Sequence, residues 1–303
     1  MKLEYIKCHG SGNEFVMIDS TRVDLQGVDL AELSRFVCNR TEAIGADGLL
    51  LLCLKEGVYG MRMFNPDGSE AEMCGNGIRC VARLATEVDG TLADEFEMWS
   101  GKSTYHISRK ACLHADIPTF GVTLAVKEVG EPNRLIPQLD PHLRWRGIDV
   151  GNPHIVARVE EMDYDHLQAL GERVISLKDI FPQGVNISLV KVVEKNCIFV
   201  ATYERGAGIT PSCGTAMTSS ATAMSLNGDC DFGVPIKVCN RGGMVRCICH
   251  NEERLTTQLI GNATYISEGT ITLSDGGFSF SVECIFDEEA AQYNDFLRAL
   301  EAL

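Results

Sequence analysis

Val58-Tyr59-Gly60-Met61-Arg62-Met63-Phe64 leads into Asn65-Pro66-Asp67-Gly68-Ser69, and then Cys74-Gly75-Asn76-Gly77 precedes Ile78, Val81, Leu84, Ala85 and Val88. The first run predicts a strand and the second a turn. The 3–4 spacing of the third predicts a helix that starts beside Cys74 and stops at Asp89-Gly90. The same order recurs downstream. Cys197-Ile198-Phe199-Val200-Ala201-Thr202-Tyr203 predicts a strand and Gly206-Ala207-Gly208 a turn. After Cys213-Gly214-Thr215 comes a helix-compatible stretch, 216–226, ending at Asn227-Gly228. Each Cys-Gly is therefore expected where a loop enters a helix.

A constant offset of 139 residues links the two stretches. Gly12-Asn13 matches Gly151-Asn152, Phe64 matches Tyr203, and Cys74-Gly75 matches Cys213-Gly214. Asn13 to Cys74 and Asn152 to Cys213 are both 61 residues. Repeats at fixed spacing imply copies of one unit. Strand-like runs dominate elsewhere, at 121–126 and 276–284, and the tail 287–303 has a helical pattern with no counterpart. The expected fold is α+β, with two pseudo-symmetric domains, each a curved, mostly antiparallel sheet around a central helix. The expected domains are 1–118 plus 275–303, carrying Cys74, and 119–274, carrying Cys213.

Composition sets limits on partners. A chain of 303 residues suggests about two domains. Its 45% hydrophobic and 23% charged residues describe a globular protein. The net charge of −15 repels phosphate backbones and argues against nucleic acid. The longest apolar run, 49–54, is far short of the roughly 18 residues of a membrane span. The start, Met1-Lys2-Leu3-Glu4-Tyr5, shows no secretory pattern. Thirteen cysteines, an odd count without such a signal, indicate reduced thiols in a cytoplasm. No pair has C-x-x-C spacing, and Cys247-Ile248-Cys249 alternates like a strand, so no metal site is expected.

Two thiols at two helix starts have a chemical use. A helix N-terminus offers unpaired N–H groups and partial positive charge, which favour a thiolate and bind a carboxylate. A cysteine there can fall from about 8.5 to about 3.5–7.5 in pKa. The following glycine lets a ligand approach the backbone. If both thiols face one small carboxylate, one sulfur removes the α-proton and the other delivers a proton to the opposite face. The stereocentre inverts without a cofactor. Each thiol needs a polar neighbour to hold its proton state, and His154 and Glu204 lie close to repeat anchors. Taken singly, these residues read blandly: Cys74 and Cys213 as buried thiols, His154 as a core or loop histidine, Glu204-Arg205 as a surface pair. Asn13, Asn65, Asn152 and Asn186 would be turn residues. The repeat ties them together.

The chain also resembles a known family. His9-Gly10-Ser11-Gly12-Asn13-Glu14-Phe15, Gly45-Ala46-Asp47-Gly48, Met73-Cys74-Gly75-Asn76-Gly77-Ile78-Arg79-Cys80, Gly151-Asn152-Pro153-His154, Glu204-Arg205-Gly206-Ala207-Gly208, Cys213-Gly214-Thr215 and Leu259-Ile260-Gly261-Asn262-Ala263 are similar to diaminopimelate epimerases. The match runs from about residue 5 to about residue 272. The resemblance implies a cofactor-independent interconversion of LL- and meso-diaminopimelate in the synthesis of lysine and peptidoglycan precursors. It implies Cys74 and Cys213 as acid/bases, with His154 paired to Cys74 and Glu204 to Cys213. It implies that Gly75, Asn76, Gly214 and Thr215 hold the reacting carboxylate. Asn13, Asn65, Asn152, Asn186 and Arg205 would read the rest of the substrate, Arg205 through a bidentate fork. It returns the last strands and the tail to the first domain. Departures stand at Gly48, Ile209, Pro211 and Ala216, and from Phe278 onward. A small amino acid is then the expected partner, with no nucleic acid and no membrane, and a homodimer is left open. The competing readings are a racemase of another amino acid such as histidine or proline, a dithiol redox switch, and a non-catalytic zwitterion binder.

Overall fold

The computed structural model describes residues 1–274 and 277–301. They divide into two compact units, Met1–Val122 with the chain from Ile260 onward, and Thr123–Leu259.

In unit 1, β1 (Lys2–Gly10) turns through Ser11 and Gly12, both at positive φ, into its antiparallel partner β2 (Asn13–Asp19). The helix α1 (Leu30–Cys38) starts at Asp29, whose carboxylate accepts the Glu32 N–H at 2.9 Å. It brings β3 (Leu49–Lys55) parallel to β2. The antiparallel β4 (Val58–Phe64) follows, then the short β5 (Glu70–Ala71) and the helix α2 (Gly75–Val88). Next come β6 (Glu95–Ser100), parallel to β4, β7 (Ser103–Lys110), and β8 (Thr119–Ala125), within which the chain enters unit 2.

In unit 2, short strands β9 (Glu128–Val129) and β10 (Arg134–Ile136) flank β11 (Asp140–Asp149). There follow antiparallel β12 (Pro153–Val159), α3 (Tyr164–Ser176), and β13 (Asn186–Glu194), parallel to β12. Then come antiparallel β14 (Cys197–Glu204), β15 (Gly208–Thr210), α4 (Gly214–Asn227), β16 (Ile236–Asn240), parallel to β14, and β17 (Gly243–Asn251). The chain leaves within β18 (Leu255–Asn262) and completes unit 1 with β19 (Thr264–Ser274), β20 (Gly277–Ile285) and α5 (Asp287–Glu301).

The repeat is thus a repeat of architecture. The order from β1 to β7 recurs from β11 to β17 with the same parallel and antiparallel senses. Moved by 139, α2 coincides with α4. Phe64 faces Leu49 across its ladder, and Tyr203 faces Ile187 across the matching one.

Each long helix is central to its unit. Every residue from Gly75 to Thr86 is buried, so α2 has no solvent face over its first three turns. In α4 the small residues Thr218, Ser219, Ser220 and Thr222 are all at 0% exposure. The threonine hydroxyls survive there by donating to the carbonyl four residues back, Thr218 to Gly214 at 2.9 Å and Thr222 to Thr218 at 2.8 Å. Leu49 to Leu52 are buried without alternation, because β3 has neighbours on both faces. Leu49 and Leu51 pack in the cluster with α1, while Leu50 reaches Gly77 of α2. Each such leucine contributes about 1.5–3 kcal/mol. No helix among the described residues is long and apolar enough to cross a membrane.

The unit boundaries differ from the expected 118/119 and 274/275. Residues 119–122 and 260–274 belong to unit 1. The reason is pairing: β19 lies against β1 from Lys2↔Thr272 to His9↔Thr264, and β8 lies against β7. Residues 275–276, at the expected domain boundary and the start of the expected strand, and 302–303, at the end of the expected tail helix, lie outside the described residues.

Candidate active site

In unit 1 the site is built where the Ser11-Gly12 turn meets the start of α2. Cys74 is itself the N-cap, extended at φ −140 and ψ 113. Its Sγ accepts the Gly77 N–H at 3.4 Å, as a serine or aspartate oxygen does at other helix starts. A sulfur held by a backbone donor at the positive end of a helix is favoured as an anion. On its other side lies Asn13 Oδ1, 4.0 Å away, which also accepts from Asn76 Nδ2 at 3.3 Å. Asn13 Nδ2 donates to Asp47 at 2.9 Å, and Arg40 donates to the second Asp47 oxygen at 2.8 Å. Asn65 is engaged in its own turn, with Nδ2 donating to Ser69 Oγ at 2.9 Å.

In unit 2 the ends of three strands converge on the start of α4. Cys213 is the N-cap, at φ −129 and ψ 113. Its Sγ lies 3.4 Å from Thr215 Oγ1, which lies 3.1 Å from His154 Nε2. The same nitrogen is 3.1 Å from Asn152 Oδ1 and 3.4 Å from Asn186 Nδ2. His154 and Asn186 are register partners in the parallel β12–β13 ladder, which is why they meet. Asn186 Oδ1 accepts the Arg205 N–H at 2.8 Å. Arg205 donates through its guanidinium to Gln183 O, and Thr210 Oγ1 donates to the Glu204 carboxylate.

The electrostatics of unit 2 are set by burial. The Cys213 thiol is pushed well up by burial and then by the Glu204 carboxylate beside it, so it is a thiol and not a thiolate at neutral pH. His154 is 1% exposed, and burial, aided by the Arg205 charge, pushes it down to about 3. It is a neutral imidazole. Its Nδ1 is buried with no hydrogen-bond partner among the described residues. The structure thus brings Cys213, Thr215, His154, Asn152, Asn186, Glu204 and Arg205 together in unit 2, and Cys74, Gly75, Asn76 and Asn13 together in unit 1.

Asp47, Thr210 and Arg79 also act on these half-sites, although no motif spacing assigns them a role. The sequence carries little signal for Arg79, which falls in line with Arg83 and Thr86 and off the Ile78, Val81, Leu84 and Ala85 face. Two departures have local causes. A Cβ on Gly48 would lie 3.0 Å from both Met63 Cε and Phe64 O, so no longer side chain fits there without movement. Ile209 packs against the apolar cluster of unit 2.

The family model described as diaminopimelate epimerase matches residues 5–109 and 147–266. The diaminopimelate epimerase of Clostridium acetobutylicum is 36% identical, covering 98% of this chain and 94% of that protein. That of Lactiplantibacillus plantarum is 36% identical, covering 99% of each. Among solved structures, a Bacillus anthracis phenazine biosynthesis protein of the PhzF family aligns with a TM-score of 0.68 at 15% identity, over 90% of this chain and 99% of that one. A hydroxyproline epimerase from Agrobacterium vitis aligns with a TM-score of 0.63 at 13% identity, over 94% and 92%. At these identities the structural matches establish the fold.

Proposed function

The chain belongs to the diaminopimelate epimerase family, and on that footing we propose that it interconverts LL- and meso-diaminopimelate by a two-thiol proton transfer. The observation that carries the mechanism is the recurrence of one cysteine as the N-cap of the buried central helix in each unit. The reading requires both half-sites to share one substrate. The Cys74 thiolate takes the α-proton, so an S–H bond forms as the C–H bond breaks. The electron pair left on carbon takes a proton from the Cys213 thiol on the opposite face, leaving a thiolate there. Atoms and charge balance with no co-reactant, and the reverse turnover uses the two sulfurs in exchanged roles.

The difficult quantity is the weak acidity of the α-C–H. The N–H groups of Gly75, Asn76, Gly214 and Thr215 are the donors aimed at the reacting carboxylate in this reading. Each such donor in a prepared site is worth roughly 2.7–4 kcal/mol, and the contributions do not add cleanly. In this reading Glu204 keeps Cys213 protonated, and neutral His154 holds Thr215 beside it. Asn13, Asn65, Asn152, Asn186 and Arg205 read the distal amino-acid end. All thirteen cysteines are free thiols, which favours a reducing cytoplasm as the place of work.

The test is α-proton exchange in D2O across a panel of amino acids, with Cys74→Ser and Cys213→Ser beside the wild type. Exchange with diaminopimelate and none with histidine or proline is expected, and both variants should fold yet lose nearly all inversion. Wild-type epimerisation by either variant would remove the two-base assignment.

A further inference from the structure

Arg79 sits five residues after Cys74 in α2, and its side chain is fully buried at 0% exposure. One guanidinium nitrogen donates to Gly75 O at 2.9 Å. The other donates to Asn76 Oδ1 and to Ser11 Oγ, each at 3.1 Å, and Nε donates to Asn262 O at 3.3 Å. The two residues that follow Cys74 are therefore held by one cation. Through Asn76 it also fixes Asn13 Oδ1, the oxygen beside the Cys74 sulfur. The slot is made by two missing side chains. A Cβ on Gly10 would come within 3.0 Å of the guanidinium, and one on Gly261 within 2.8 Å.

The second copy of the repeat shows what the cation adds. Arg79 moved by 139 is Thr218, whose hydroxyl donates to Gly214 O at 2.9 Å, the carbonyl equivalent to Gly75 O. A neutral side chain satisfies that carbonyl, so the fold does not demand a charge there, and burying one is costly. The other half of the asymmetry is at position 65, where Asn65 corresponds to Glu204. At the positions matching Thr218 and Glu204 of unit 2, unit 1 thus carries a cation and a neutral amide.

The groups around Arg79 leave its charge in force. From β1, His9 is pushed down to about 4 by burial, hence neutral, and burial pushes the Cys8 thiol up. The β2 carboxylate Glu14 is bonded by Arg40, as is Asp47. On β3 burial pushes up Cys53, and on β4 Arg62 is paired with Glu70. From α5, burial pushes Tyr293 up, and Glu289 is bonded by Arg83 of α2, which also carries Cys80.

We infer that Arg79 is a positioning residue that orients Gly75 and Asn76 and holds Cys74 as the resting thiolate, so that Cys74 is the base and Cys213 the acid in the unliganded protein. This assignment rests on the two-thiol reading, but its test does not. The rate at which iodoacetamide alkylates Cys74, resolved by peptide mass spectrometry, is followed against pH in the wild type, Arg79→Gln and Arg79→Lys without substrate. The wild-type midpoint is expected below the ordinary thiol value of about 8.5. Arg79→Gln should raise it by about one unit, roughly tenfold slower alkylation at pH values well below both midpoints. Arg79→Lys should keep the midpoint but lose kcat, because an ammonium cannot reproduce the fork. The Cys213 profile should not move in any of them, whereas loss of structure would move both. A wild-type Cys74 midpoint at or above the ordinary value overturns the inference even if Arg79→Gln does not fold. So does a folded Arg79→Gln that overlays the wild type, or an Arg79→Lys shifted as far as Arg79→Gln. Failure to exchange diaminopimelate would sink the functional proposal and leave the alkylation result standing.

Discussion

Acidifying the protein from about pH 7.5 to about pH 5 should destabilise unit 2 through His154. The imidazole is 1% exposed and neutral, with its folded pKa pushed down to about 3 by burial and the Arg205 charge. In the unfolded chain it titrates near 6.5. Between those values the unfolded state binds a proton that the folded state refuses. Stability is therefore whole above about pH 6.5 and falls as the pH drops through that window. At about 1.4 kcal/mol per pH unit, the loss by pH 5 is on the order of 2 kcal/mol. His9 in unit 1, pushed down to about 4, adds a loss of the same sign and about the same size. Urea denaturation followed by circular dichroism at both pH values measures the total. His154→Asn and His9→Asn isolate each share, because titrating carboxylates affect wild type and variants alike. Each variant should lose about 2 kcal/mol less than the wild type over the same interval. Equal losses in the wild type and both variants would refute the burial argument.

Two further outcomes follow from the same contacts. Glu204→Gln removes the carboxylate that helps hold up the Cys213 thiol, so the pH midpoint for alkylating Cys213 should fall yet stay above the ordinary thiol value, because burial is the larger cause. A midpoint that does not move would detach Glu204 from Cys213. Glu289→Gln breaks the paired contacts to Arg83, both at 2.7 Å, which tie α5 to α2. The cost should be about 2 kcal/mol in urea, below the 3–5 of a fully buried pair because Glu289 is 21% exposed and Glu87 still bonds Arg83. A change under about 0.5 kcal/mol would show that α5 is held by its other contacts, such as Tyr293 against His9 and Phe296 against His114.

The features that were legible in the sequence are the ones written locally. Cys-Gly before an apolar periodic run gave the start of α2, Cys-Gly before a stretch of small helix-compatible residues that of α4, and the constant offset gave the duplication, down to the coincidence of α2 with α4. The helices α1 and α3 carry local marks too, an aspartate N-cap at Asp29 and at Asp163, but they lie outside the stretches that the repeat aligns by identity. What local pattern cannot hold is partnership at a distance. Nothing near residue 264 says that its strand will pair with His9, which is why the expected boundary fell too late. Arg79 is similar: its carbonyl partner Asn262 is 183 residues away, and from sequence alone it reads as an exposed arginine on a helix. The groupings within each half-site come from ladder register, as with His154 beside Asn186, and register is a property of the folded sheet.

Because β19 closes against β1, unit 1 is assembled from two stretches that precede and follow unit 2 in the chain, while unit 2 is a single uninterrupted stretch. A ribosome working from the amino end therefore releases everything unit 2 needs before it releases the strand that finishes unit 1. The half carrying Cys74 must wait, with one edge of β1 uncovered, until the other half has been synthesised. Folding during synthesis is therefore expected to complete unit 2 before unit 1, opposite to the usual amino-terminal-first order.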